Sequence, residues 1–178
     1  MNIIMTSRLI IRPFCDADAE GLFDYLAEPG APCFADEKLN SLTDAQHEIK
    51  KRSQDPTQLA ICLKGSDSII GNVFADNKNE PDSETWCIGW HLNKKYGGNG
   101  YATEAAKAFI EYLFNQKCAR RIYAYVADYN QPSKNLCNRL GMRAEGCLKE
   151  HVEFMQTDGS KQFENTLIFA VLKNEWSF

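Results

Sequence analysis

The 178-residue sequence is short of several things, and each shortage closes off a class of protein. It contains no Cys-x-x-Cys spacing and no cysteine set beside paired histidines. Its seven cysteines, Cys15, Cys33, Cys62, Cys87, Cys118, Cys137 and Cys147, are odd in number and scattered. That pattern specifies neither a disulfide frame nor a zinc site, so reduced, mostly buried thiols and no metal are expected. No stretch approaches the ~18 consecutive apolar residues of a membrane span, and the apolar run near the start is too short for a secretory leader. A cytoplasmic protein without a membrane partner is therefore expected. Positive charge is not in excess: the formal net charge is -4, which gives no basic field to draw the chain onto nucleic acid. Repeats, low-complexity tracts and an interdomain linker are also missing, so 1–178 reads as one domain. With 44% hydrophobic residues there is enough apolar material for a core.

What is present is an alternation of strand and helix signals. Arg8 to Phe14 alternates as a strand, and Asp16 can cap a helix with Ala19, Leu22, Phe23 and Leu26 on one face, ended by Pro29 and Pro32. Thr43 stands three residues ahead of Gln46, a capping-box spacing that opens a second helix running to about Ser53. A hairpin follows, Thr57–Lys64 and Ser68–Asp76 about the Gly65-Ser66-Asp67 turn. Thr85–Leu92 is a strand with Trp86, Ile88, Trp90 and Leu92 on one face. From Tyr101 to about Lys117 a long amphipathic helix turns Ala102, Ala105, Ala106, Phe109, Ile110 and Leu113 inward and Glu104, Lys107 and Glu111 outward. Arg121–Val126 is a strand, a short helix reaches Leu140 before Gly141, and strands at Arg143–Phe154 and Gln162–Ala170 flank a turn at Asp158 and Gly159. Strands that both alternate with helices and pair as hairpins imply an α+β fold with a mixed sheet.

The most informative segment is Lys95-Tyr96-Gly97-Gly98-Asn99-Gly100, between a strand and the long helix. Glycines there let successive backbone N–H groups converge on one anion, aided by the positive end of the helix dipole. A diphosphate fits such a turn. A dinucleotide fingerprint is disfavoured, because Thr103 stands where its third glycine belongs, and a P-loop needs a Gly-Lys-Ser/Thr run that is absent.

The turn resembles motif A of the GNAT acetyltransferases, Q/R-x-x-G-x-G/A, as Lys95-x-x-Gly98-x-Gly100, continued by Tyr101-Ala102-Thr103-Glu104-Ala105. With Ile88-Gly89-Trp90 and the opening Ser7-Arg8-Leu9-Ile10-Ile11-Arg12-Pro13-Phe14, it looks like the RimJ/RimL-like, ribosomal-protein N-acetyltransferase branch, from about residue 6 to Trp176. Lys95 departs from the usual Arg or Gln but keeps a positive charge. The resemblance implies a mostly antiparallel sheet of about seven strands, splayed between strands 4 and 5 and flanked by about four helices. It implies acetyl-CoA as cosubstrate and direct transfer to an amine, either a protein N-terminus or a small molecule, and it leaves a homodimer open. Main-chain groups from Ile88 through Gly89, Trp90, His91 and Leu92 would line the pantetheine arm. Lys95, Tyr96, Gly97, Gly98, Asn99, Gly100, Tyr101 and Ala102 would hold the diphosphate. A backbone N–H of that strand would polarise the thioester, a contribution worth roughly 10²- to 10³-fold in rate.

The same resemblance carries Asn130-Gln131-Pro132-Ser133 onto an N-x-x-S element, with Asn130 contacting the coenzyme and Ser133 also protonating the thiolate; helix capping by Asn130 is the plain alternative. Cys137 occupies the position of a tyrosine acid in many relatives and is a second candidate donor. For the base, Glu153 best matches the family strand, but one extra residue after Lys149 leaves Glu150, His151 or a water in competition, because a single step along a strand reverses the face. Cys87 stands where relatives place another glutamate. The two early helices and the turn near Asp158 would edge the acceptor groove. An acetyl-CoA-binding module without activity and a dinucleotide oxidoreductase are the rival classes.

Overall fold

The structure, a computed structural model, describes residues 3–29, 37–78, 80–155 and 159–177. Eight strands form one sheet: β1 (Ile4–Met5), β2 (Leu9–Arg12), β3 (Gln58–Leu63), β4 (Ile69–Asp76), β5 (Thr85–Leu92), β6 (Arg121–Ala127), β7 (Arg143–Met155) and β8 (Lys161–Leu172). They lie in the order β1-β2-β3-β4-β5-β6-β8-β7. Every neighbouring pair is antiparallel except β5 and β6, which run parallel because helix α3 (Tyr101–Gln116) carries the chain back between them. The other helices are α1 (Ala19–Leu26), α2 (Leu42–Gln54) and α4 (Gln131–Arg139). The mixed α+β class and the four helices are as expected. The eighth strand is β1, whose two residues pair with Ile10 and Ile11 and are too few to show a period in the sequence.

Side-chain alternation splits the core in two. On β3, Leu59 and Ile61 join Phe109, Ile110 and Leu113 of α3, with Leu136 of α4, on one face of the sheet. Ala60 and Cys62 join Leu22 and Leu26 of α1 and Ile49 of α2 on the other. Helix starts differ from expectation where a neighbouring polar group competes. Ser41, not Thr43, caps α2 by accepting the Asp44 N–H at 3.1 Å. Asp16 to Asp18 make a 3-10 turn ahead of α1, and the Asp18 carboxylate holds both Nη atoms of Arg12 at 2.8 Å. The helix ends at Leu26, before Pro29; Pro32, Cys33 and Asp158 lie outside the described residues. Thiols are less buried than expected: Cys62 and Cys137 are buried and Cys87 partly so, whereas Cys15, Cys118 and Cys147 are exposed. Among the described residues no helix is long and apolar enough to cross a membrane.

Glu104 is not the outward residue that its place on the helical wheel predicts. Its carboxylate receives Thr6 Oγ1 at 2.6 Å, Ser7 Oγ at 2.9 Å, the Arg8 N–H at 2.9 Å and Arg8 Nε at 2.6 Å, pinning the segment before β2 to the first turn of α3. Burial opposes its charge, but these donors prevail and hold the carboxyl down to about 2, below its ordinary value of 4.5. The native pKa is the lower one, so its stabilisation is complete above about 4.5 and is lost as pH falls towards 2. Glu104→Gln should lower unfolding stability by about 1–3 kcal/mol at neutral pH in urea titrations. It should also flatten the loss of stability between those two pH values.

Candidate active site

β5 and β6 pair at only three positions, Thr85↔Arg121, Trp86↔Ile122 and Cys87↔Tyr123, and then separate. Each stays attached on its outer side, β5 to β4 as far as Gly71↔Leu92 and β6 to β8 as far as Ala127↔Thr166. The main-chain groups of Ile88 to Leu92 that point away from β4 therefore face a gap. A cavity of about 350 Å³ fills it, lined by Gly89 and Trp90 of β5, Tyr125 of β6, Asn130 at the start of α4, Ser133 of α4, and Glu164 of β8. A Cβ at residue 89 would sit 2.1 Å from the Phe74 ring, so glycine here lets that ring lie across the strand.

Beyond Leu92, Asn93 Oδ1 accepts the Lys95 N–H at 3.0 Å and starts a 3-10 turn over Lys94–Tyr96. Gly98 and Gly100 both take φ of +79°, a left-handed conformation that glycine adopts without strain. The first helical bond of α3 runs from the Glu104 N–H to Gly100 O at 3.0 Å. The N–H groups of Tyr101, Ala102 and Thr103 precede it and have no partner inside the helix, so they form an anion cradle at the dipole's positive end. Two hollows, of about 390 and 710 Å³, meet at this turn and share Leu92, Gly98, Ala102 and Arg139. Trp90, Asn130 and Ser133 line both the 390 Å³ hollow and the wedge between the strands, so one channel runs from the helix entrance into the sheet. An extended molecule with a diphosphate at one end and amide groups along its arm fits this channel.

The sequence expectations divide on geometry. Asn130 caps α4, its Oδ1 accepting the Ser133 N–H at 3.1 Å, and it also lines the channel. Ser133 Oγ accepts the Trp90 indole N–H at 3.2 Å, which leaves its own O–H free to donate. Ile88, Leu92, Tyr96, Gly97, Gly98, Gly100, Tyr101 and Ala102 line one or another of the three hollows. His91 lines the 390 Å³ hollow, yet it is buried edge-on against Tyr25, with ring centroids 5.0 Å apart, and burial pushes its pKa down to about 4. Lys95, expected to offer its charge, gives its ammonium to Asp24 of α1, and Asn99 spends its amide on Tyr96 O and Gly97 O. Neither lines the channel among the described residues.

The charge comes from residues that sequence reasoning overlooked: Lys94 in the 390 Å³ hollow, Lys107 in the 710 Å³ hollow, and Arg139 in both. Lys107 stands one helical turn beyond Thr103, a spacing that signals a shared face with the helix start, whereas nothing local announces Arg139, whose Nε reaches Thr103 Oγ1 at 3.0 Å. Cys137 is fully buried, absent from the channel lining, and burial pushes its thiol up to about 12. Burial likewise pushes the Cys87 thiol up to about 11.

The expected base is not brought to the cavity. Val152 and Phe154 line it, so Glu153 between them faces the other way and pairs with Lys161 at 3.0 Å. His151 is exposed beside the Tyr125 ring, at 5.7 Å between centroids, and Glu150, at φ +48°, donates its N–H to Asn165 Oδ1. No described residue of α1 or α2 lines the wedge either, although both helices were expected to edge an acceptor groove. The carboxylate that does reach the wedge is Glu164.

Known proteins share this architecture. Residues 8–143 match the family model for the acetyltransferase (GNAT) domain. The N-acetyltransferase YnaD of Bacillus subtilis (strain 168), itself described as uncharacterized, is 30% identical over 176 residues, 98% of this chain and 99% of that protein. The [ribosomal protein uS5]-alanine N-acetyltransferase of Escherichia coli (strain K12) is 26% identical over 98% of this chain and 92% of its own. A crystal structure of a GNAT-family acetyltransferase from Bacillus anthracis aligns with a TM-score of 0.86 and 26% identity, covering 97% of this chain and 99% of that one. The parted parallel strands and the glycine-rich helix entrance thus sit in a chain that belongs to the GNAT acetyltransferase family, an acyltransferase whose family uses acetyl-CoA.

Proposed function

We propose that this enzyme acetylates a single primary amine, foremost the α-amine of a peptide. The observation that carries the acceptor reading is the make-up of the wedge. Glu164 is the one carboxylate among its described lining residues, set among Phe74, Tyr125, Val152 and Phe154. A polyamine or aminoglycoside carries several cationic amines that would call for several carboxylates, whereas a peptide terminus brings one amine and a small, partly apolar side chain. The relative that acts on the alanine of ribosomal protein uS5 supports the same reading.

In this scheme the N–H groups around Gly98, Gly100, Tyr101 and Ala102 bind the diphosphate of acetyl-CoA, with Lys94, Lys107 and Arg139 supplying positive charge. Main-chain groups of Ile88 to Leu92 hold the pantetheine arm as a neighbouring strand would, and a β5 N–H polarises the thioester carbonyl. Tyr96, Gly97 and Asn99 shape the turn, and Asn130 caps α4 so that Ser133 faces the channel. The amine attacks directly. Ser133 donates its hydroxyl proton to the sulfur as the carbon–sulfur bond breaks.

Incubation with acetyl-CoA and a panel of peptides, spermidine and kanamycin, read by thiol release and mass, tests the acceptor. Higher kcat/KM on peptide α-amines is expected, and preference for spermidine or kanamycin would overturn it. A raised melting temperature with acetyl-CoA but no acetylated amine would favour a non-catalytic binding module. Gly98→Asp places a side chain and a negative charge in the cradle and should abolish the thermal shift given by acetyl-CoA; a wild-type shift contradicts the cradle. Ser133→Ala should lower kcat by about 10²-fold with little change in the acetyl-CoA KM. Undiminished kcat would reduce Ser133 to an acceptor for the Trp90 indole.

A further inference from the structure

We infer that Glu164 is the general base that takes the proton from the attacking amine. The inference rests on the reaction proposed above and deepens it by naming the group that makes the amine nucleophilic.

Glu164 stands on β8 two residues before Thr166, the partner of the last residue of β6, and opposite Val152 across the β7–β8 ladder. Like Val152 it lines the wedge between β5 and β6, in the cavity that also holds Gly89, Trp90 and Ser133. Its Oε1 accepts from Gln162 Nε2 at 3.5 Å, a long bond, and its Oε2 is buried with no hydrogen-bond partner. A carboxylate oxygen withdrawn from water and left without a donor is costly, and such a group persists where a donor arrives with a ligand. An amine carrying N–H donors, positioned to meet a thioester in the wedge, is that ligand.

Lys161 of β8 pairs with Glu153, and Lys134 of α4 donates its Nζ to Asp128 O at 2.6 Å. Asp128, in the turn between β6 and α4, accepts Asn165 Nδ2 at 2.7 Å. The other titratable groups that line the cavity are the Cys87 thiol from β5 and the Tyr125 phenol from β6, and His151 of β7 lies outside it against the Tyr125 ring. Of all these, Glu164 alone combines a proton-accepting atom with a place in the wedge.

The step balances. The bound ammonium gives one proton to Glu164 Oε2, and the neutral nitrogen then bonds to the acetyl carbon. As the carbon–sulfur bond breaks, its electron pair goes to sulfur, which takes the Ser133 hydroxyl proton, and the second proton leaving the nitrogen restores the Ser133 hydroxyl. Glu164 releases its proton to solvent, so ammonium and acetyl-CoA become amide, free thiol and one proton with both side chains restored.

The test compares wild type, Glu164→Gln, Glu164→Asp and Glu153→Gln on a peptide amide beginning with alanine, with kcat/KM followed against pH. Glu164→Gln keeps shape and removes the base, so a fall of about 10²-fold or more near neutrality is expected, with the acetyl-CoA thermal shift retained. The deficit should shrink towards alkaline pH as the peptide amine loses its own proton, and Glu164→Asp should recover part of the rate. Undiminished turnover in Glu164→Gln, a deficit constant across pH, or loss confined to Glu153→Gln would each overturn the assignment while leaving the acetyltransferase reading intact. A wild type that acetylates neither this peptide nor any other amine would overturn both.

Discussion

The fold turns on one refusal: after three pairs, β5 and β6 stop bonding to each other. Buried main-chain groups without partners cost roughly 1–3 kcal/mol each, so two adjacent strands should not part without reason. They remain parted because each is anchored on its far side, β5 by β4 and β6 by β8, and because the entrance of α4 stands at the opening with Trp90 bonded to Ser133. The sheet thus carries an unfilled strand position at its centre. An acyl carrier with amide groups along its arm is the natural complement of such a slot, and in the binding mode proposed above the glycine turn at the end of β5 would receive its charged end.

Two requirements meet at α4. Its first residues must complete a helix, and Asn130 does so by capping Ser133; the same few residues must also wall the channel. Capping and ligand contact are compatible for Asn130, since it caps the helix through Oδ1 and also lines the channel. Opposite it, Phe74 rests on the bare backbone of Gly89 and walls the wedge from the side of β4.

Much of this was legible in the sequence, because periodicity and glycine placement are local signals. β5 falls on Thr85–Leu92 as read, α3 begins at Tyr101 immediately after the glycines, and Ser133 stands in the channel. What was not legible depends on tertiary contacts or on strand parity. Arg139 reaches the cradle from the last turn of α4, and Lys95 is diverted by an aspartate 71 positions earlier in the chain. On β7 the register slips: between Leu148↔Thr166 and Val152↔Glu164, β7 runs through Lys149, Glu150 and His151 while β8 has Asn165 alone. The two extra residues preserve the alternation, so Val152 and Phe154 line the wedge and Glu153 faces away. The carboxylate in the wedge came instead from β8, where no motif pointed.

Asp24 belongs in any account of the glycine turn although it does not itself line the channel. From α1, on the opposite face of the sheet, its carboxylate receives Asn93 Nδ2 at 2.7 Å and the Lys95 ammonium, and Asn93 in turn fixes the Lys95 N–H. The conformation of the turn is therefore referred to a helix that belongs to the other core. Proximity is consequently a poor guide to which substitutions disturb this enzyme, because a change at Asp24 in α1 removes the bonds that hold Asn93 and Lys95.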